Sequence, residues 1–139
     1  MAVIQKSLTI PEKVLKEIEQ IAKDTQKDFS GVANELLEEA VKIHRCPGIV
    51  FTEGIRGRRA RVAGTGIEVW EIIATYQRVG KNLNRLSQAY HWLTDQQLRA
   101  AIGYYKANRE EIDRLIARNK SWTLQHVHKR HPFLPTGRE

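Results

Sequence analysis

The first forty-five residues read as one short strand and two short helices, a unit too small to bury a core by itself. A segment of that size is completed by a disulfide, a metal or a partner chain. The chain holds a single cysteine, Cys46, and this stretch has no metal-ligand spacing, which leaves a partner chain. Residues 4–10 alternate, with Ile4, Leu8 and Ile10 on one face and Gln5, Ser7 and Thr9 on the other. Lys6 falls on the apolar parity. Pro11 suits the first turn of a helix, where its missing N–H costs nothing. Val14, Leu15, Ile18, Ile21 and Ala22 repeat at helical spacing, with Lys and Glu opposite. Asp28 or Ser30 is placed to cap a second helix with the stripe Val32, Ala33, Leu36, Leu37, Ala40 and Val41.

Charge is unevenly placed along the 139 residues. Residues 1–45 carry seven Lys/Arg against eight Asp/Glu (−1), residues 46–117 eleven against seven (+4), and residues 118–139 five against one (+4). A basic balance of this kind points to a polyanionic partner or to simple solubility charge. No apolar run approaches the roughly 20 residues of a membrane span, and no secretory pattern is present. With one cysteine, a cytoplasmic protein without membrane attachment is expected.

Cys46-Pro47-Gly48 marks a boundary. Ile49–Thr52 and Arg59–Val62 are expected to pair as a hairpin through a connection, residues 53–58, that holds two glycines. Arg56, Arg58, Arg59 and Arg61 place four cations in six residues, with Arg59 and Arg61 on one strand face. This is either a phosphate-binding wing or a charged, solvated strand edge. Ala63-Gly64-Thr65-Gly66 lacks the Lys-Ser/Thr ending of a P-loop and reads as a turn. A helix follows with Val69, Trp70, Ile72, Ile73, Tyr76 and Val79 inward, ended by Gly80. A short helix carries Leu83, Leu86, Ala89 and Tyr90, and His91-Trp92-Leu93 turns the chain. Thr94 with Gln97 forms a capping box for a helix whose stripe is Leu98, Ala101, Ile102 and Tyr105, continued by Ile112, Leu115 and Ile116. Trp70 and Trp92 are expected in the core. Residues 83–105 have helix-turn-helix dimensions, with Gln96, Gln97, Arg99 and Ala100 exposed near the start of the second helix. The alternative is a small bundle that touches no nucleic acid.

Strand, helix, helix over residues 3–43, with Leu8-Thr9-Ile10-Pro11-Glu12-Lys13-Val14-Leu15 at the strand-to-helix junction, resembles the ribbon-helix-helix DNA-binding family. That resemblance implies a homodimer paired through the N-terminal strand, with the two-stranded ribbon in the major groove. Base contacts then fall to Gln5, Ser7 and Thr9, flanked by Lys6, and a phosphate contact to the N–H groups near Ser30 and Gly31. The other possibility is that the strand only dimerises.

A second resemblance covers residues 46–117. Gly64-Thr65-Gly66-Ile67-Glu68-Val69-Trp70-Glu71-Ile72-Ile73, Leu93-Thr94, Ala100-Ala101-Ile102-Gly103-Tyr104-Tyr105 and Arg109-Glu110-Glu111-Ile112-Asp113 are similar to the helix-turn-helix-like domain of VapB-type antitoxins. The expected fold class is therefore mainly α with short β: a ribbon-helix-helix dimerisation unit (1–45), a β-hairpin plus small helix-turn-helix-like domain (46–118), and a basic tail (119–139). The candidate DNA-binding set adds Arg56, Arg58, Arg59, Arg61, Gln97 and Arg99 to the N-terminal residues.

The tail shows no sustained periodicity and is expected to be disordered or ordered by a partner. His126, His128 and His131 lie close together, but no carboxylate or cysteine joins them, and no metal or cofactor is expected. The antitoxin resemblance implies that the tail covers a PIN-type ribonuclease toxin. Trp122 and Phe133 would anchor it, and Lys129, Arg130 or Arg138 would enter the toxin's acidic pocket. Nothing supports an enzyme: there is no paired-carboxylate context and no nucleophile with a neighbouring base. The expected function is a type II antitoxin that inhibits the ribonuclease and represses its own operon through operator DNA. The alternative is a dimeric transcription regulator without a toxin.

Overall fold

A computed structural model describes residues 2–54 and 57–130, with side chains placed through Asn119. Its elements run α1 (Glu12–Thr25), α2 (Phe29–Arg45), β1 (Ile49–Gly54), β2 (Gly57–Val62), α3 (Val69–Arg78), α4 (Leu83–Ala89), α5 (Asp95–Ala107) and α6 (Arg109–Arg130). The protein is mainly helical with one two-stranded antiparallel sheet. It divides into two compact units, 1–42 and 43–139.

In the first unit, residues 2–10 form neither helix nor strand. The strand expected over residues 4–10 is not formed in the single chain, because a strand requires a ladder partner. Helix α1 starts directly after Pro11, whose carbonyl accepts from Leu15 N at 3.0 Å. It stops where Gln26 turns left-handed at φ 57° and Lys27 N bonds back to Ala22 O at 2.9 Å. Asp28 is the residue that caps α2: its Oδ1 accepts from Gly31 N at 3.2 Å.

The second unit builds the core. Residues Ile49, Val62, Val69, Ile72, Ile73, Leu86, Leu98, Tyr104 and Ile112 are all at most 1% exposed. The hairpin register pairs Ile49 with Val62 and Phe51 with Ala60 on the inner face, and Val50 with Arg61 and Thr52 with Arg59 on the outer. The strands are longer than the sequence pattern suggested. They continue to the pair Gly54–Gly57, so the connection shrinks from six residues to two. Phe51 meets the Tyr104 ring edge-on at 6.2 Å, tying the sheet to α5.

Helix α3 carries Val69, Ile72 and Ile73 inward at no measurable exposure. Thr94 caps α5 with the reciprocal bonds expected of a capping box: Gln97 N to Thr94 Oγ1 at 3.0 Å and Thr94 N to Gln97 Oε1 at 2.8 Å. The apolar stripe does not run on in one helix, because Asn108 breaks it and bonds Tyr104 O through its backbone and side-chain nitrogens. Two phenols then clamp α6. Tyr104 Oη donates to Glu111 at 2.8 Å, and Tyr105 Oη donates to Asp113 at 2.7 Å. The expected boundary at residue 118 falls inside α6, which carries helical backbone through Arg130. Asn119 is buried there, its Nδ2 bonding Leu115 O at 2.7 Å.

One expectation about tryptophan is corrected. Trp92 is 60% exposed, while its neighbour Leu93 takes the inward position of the α4–α5 turn. Tyr90 and His91 pack on its ring at 5.5 and 5.1 Å. Trp70 is half-buried and packs against the core, as expected. No helix among the described residues is long and apolar enough to cross a membrane.

Candidate nucleic-acid interface

Three segments hold the residues that the sequence singles out. In the first unit, Gln5, Lys6, Ser7 and Thr9 are all exposed. The apolar residues that alternate with them are exposed as well, Ile4 at 91% and Leu8 at 67%. The phosphate site expected near Ser30 and Gly31 is already occupied from within the chain. The Gly31 N–H donates to Asp28, and that carboxylate opposes an incoming anion. Ser30 remains exposed.

The described hairpin arginines, Arg58, Arg59 and Arg61, are not free cations. Arg58 donates to the Phe51 carbonyl at 3.2 Å and pairs with Glu53 at 3.1 Å. Arg59 and Arg61 do share the outer face, but both turn to one carboxylate, Glu68, at 3.5 and 3.4 Å. Glu68 reaches them because residues 63–67 fold straight back on the hairpin. Gly64 and Gly66 adopt φ of 80° and 73°, Thr65 Oγ1 bonds Val62 O at 2.8 Å, and Val62 N closes on Ile67 O at 2.9 Å. Arg61 also donates to the Gly66 carbonyl. The Trp70 indole N–H gives Glu68 a third donor at 2.8 Å. Arg61 Nε is buried without a hydrogen-bond partner, so the cluster holds two guanidiniums against one carboxylate. Glu71 accepts from Glu68 N at 3.2 Å, and burial pushes its carboxyl above the ordinary range. Arg56 lies outside the described residues. The wing reading of the sequence is thereby reduced. The arginine face is held in place by Glu68, a residue that composition and alternation did not mark.

On α5, Gln97 is half-buried and spent on the capping box. Arg99 is exposed and donates to Asp95 at 2.9 Å. Ala100 is half-buried, and Gln96 stays exposed. Of the four residues expected at the start of a reading helix, Gln96 and Arg99 are exposed, while Gln97 and Ala100 are half-buried. Tyr105, nearer the C-terminal end of α5, is pushed up by its hydrogen bond to the Asp113 carboxylate, with Arg109 stacked on its ring at 5.0 Å.

Trp122, Lys129 and Arg130 fall on the helical backbone of α6, and their side chains lie outside the described part. Phe133 and Arg138 lie outside the described residues altogether, as does His131, while His126 and His128 fall on the helical backbone of α6 with their side chains outside the described part. Among the described residues no cluster of His, Cys, Asp or Glu can hold a metal ion.

Residues 49–105 match the model of a protein family of unknown function, DUF433. The match begins at β1 and ends on the Tyr104–Tyr105 pair, so it covers the hairpin, the Glu68 cluster and the three helices behind them. No curated protein and no solved structure matches the chain.

Proposed function

We propose that the chain is a dimeric DNA-binding antitoxin, which uses its first unit to pair with a second copy and read operator DNA, and its C-terminal segment to bind a PIN-type ribonuclease toxin. The observation that carries the dimer is the apolar surface of the first unit. Ala22 and Val32 are its only buried apolar residues among those described, whereas Ile4, Leu8, Leu37 and Val41 are each more than half exposed. Chains do not leave a unit of 42 residues in that condition without a partner. A second copy supplies the same apolar alternation in residues 4–10, and antiparallel pairing of the two segments buries that face. Gln5, Ser7 and Thr9 then point outward together, with side chains suited to base edges.

The mechanism is non-catalytic. Arg138 and the cations at Lys129 and Arg130 would oppose the carboxylates of the ribonuclease site, with Trp122 and Phe133 as apolar anchors. Toxin bridging two dimers would raise avidity for paired half-sites, coupling inhibition to repression.

The test is co-expression of the tagged chain with the reading frames that flank it. The antitoxin reading expects a stoichiometric ribonuclease that is toxic alone and silent in the complex. A clean homodimer that binds its promoter region with no such partner supports a plain transcription regulator instead. Replacing Gln5, Ser7 and Thr9 with alanine is expected to abolish specific binding while dimerisation survives. Binding that survives that change and is lost with Gln97 and Arg99 would transfer the reading to α5.

A further inference from the structure

The corner between α4 and α5 exposes an aromatic side chain that the core does not use. Leu93 fills the inward position there, and Trp92 stays 60% exposed. Its indole is nevertheless held in place, by Tyr90 at 5.5 Å and edge-on by His91 at 5.1 Å. We propose that this corner binds single-stranded nucleic acid, stacking an unpaired base on Trp92 and setting the neighbouring phosphates against Arg78 and Arg85. The proposal goes beyond the duplex-reading role given to the first unit and uses neither residues 2–10 nor the tail.

Three observations carry it. The first is the aromatic itself. An indole held by two neighbouring rings presents a large flat surface before anything binds, so little side-chain freedom is lost when a base stacks on it. The second is charge. Residues 72–94 hold Arg78, Lys81 and Arg85 and no carboxylate. All three cations are exposed and have no ion-pair partner among the described residues. The carboxylates that bound the stretch are already engaged: Glu71 accepts from Glu68 N at 3.2 Å, and Asp95 accepts from Arg99 at 2.9 Å. Burial raises the Tyr90 phenol above its ordinary range and the Arg78 charge opposes that rise, which places this guanidinium at the same corner as Trp92. Arg85 stands one turn before the end of α4, about 6 Å along its axis. The third is the surrounding surface. Among the described residues of α3, α4 and α5 and their connections, no other large apolar side chain is exposed, and Gln77, Asn84 and Gln88 face solvent instead.

That setting selects the occupant. A folded protein partner is marked by a contiguous apolar patch, and one indole among cations and amides does not supply it. A duplex keeps the faces of its bases in its own stack and offers Trp92 only edges and backbone. An unpaired base gives the indole a π-face, and the phosphates beside it give the two guanidiniums their counter-charge. The exposed amides suit the hydrogen-bonding edges that such a base leaves open.

The experiment follows the fluorescence anisotropy of labelled mixed-sequence oligonucleotides on the intact chain: single-stranded DNA, single-stranded RNA and the matching DNA duplex. Binding of either single strand is expected, and the tighter one names the sugar. Trp92→Ala should weaken that complex about tenfold or more, and Trp92→Phe should recover most of the loss. Arg78→Gln combined with Arg85→Gln should reduce the slope of log affinity against log salt by about 1.4, the value for two phosphate contacts on a single strand. Circular dichroism shows whether Trp92→Ala remains folded, and the double arginine variant decides alone if it does not. Alanine at Gln5, Ser7 and Thr9 should leave single-strand binding unchanged, which separates this proposal from the reading of duplex DNA by the first unit. Failure to bind either single strand overturns the proposal, as does undiminished binding by folded Trp92→Ala. A loss in Trp92→Ala that is confined to the duplex overturns it too and assigns the corner to double-stranded DNA.

Discussion

The two units of this chain spend their apolar residues in opposite ways. The unit at 43–139 sends Ile49, Val62, Ile72, Leu86, Leu98 and Ile112 into one core and, among the described residues, exposes few large apolar side chains. The unit at 1–42 has comparable stripes on α1 and α2 and leaves much of them in solvent: Val14 at 46%, Leu37 at 57% and Val41 at 57%. The two helices of the first unit can cover only a part of each other, while a hairpin and four helices surround a volume. Similar periodicity therefore yields a closed core in one place and an exposed apolar face in the other. Stability in the second unit is a property of the chain; in the first, the proposed pairing with a second copy would supply what the single chain leaves exposed.

That contrast is sharpest in alanine substitutions. Ile72→Ala should cost about 3–4 kcal/mol in the second unit, with a fall in unfolding midpoint that does not vary with protein concentration. Leu37→Ala, made on the exposed face of α2, should act through association, so its effect shrinks as concentration rises. Equal, concentration-independent losses at both positions would break the comparison.

Within the second unit, Glu68→Gln tests whether the arginine face is held by one carboxylate. Losing the charge shared by Arg59 and Arg61 should cost about 1–3 kcal/mol in chemical denaturation. Thr94→Ala removes one half of the α5 capping box and should cost about 1 kcal/mol by the same assay.

Glu71 gives a pH-dependent test. Burial raises its folded-state pKa above the unfolded value, so its contribution is most favourable below the ordinary carboxylate range and is lost as pH rises through the folded value. Glu71→Gln keeps an oxygen for the Glu68 N–H and removes the buried charge. It should raise the unfolding midpoint near neutral pH, with the difference from the parent closing as pH falls below about 4.5. A difference that widens on acidification would contradict the burial argument. The smallest expected effect is Gln26→Gly at the left-handed end of α1, a gain of about 0.5 kcal/mol in the first unit.

Local chemistry explains what could be read from the sequence. The Thr94–Gln97 box, Pro11 at the start of α1 and the alternation of Ile49, Phe51, Ala60 and Val62 depend on near neighbours, and each stands where its spacing put it. Errors arose where a distant residue decides the outcome. Arg59 and Arg61 share a face as the period-two rule requires, but the return of the 63–67 loop brings Glu68 onto them, and no periodicity encodes that. Trp92 reads as core by its hydropathy, yet only Leu93 can turn inward at that corner. Gly31 offers an amide by position, but Asp28 reaches it first. Helix α6 runs past residue 118 through a polar stretch without an apolar stripe, so amphipathic pattern could not reveal it. The expected N-terminal ribbon depends on a second chain, which no reading of one chain can exhibit.

Sedimentation of the intact protein across a wide concentration range, beside the Leu8→Asp variant, tests most directly whether the first unit is completed by a second copy. The account predicts a dimer for the parent and a monomer for the variant, with the core of the second unit still folded by near-ultraviolet circular dichroism. A parent chain that remains monomeric at every concentration, or a variant that dimerises equally well, would contradict it.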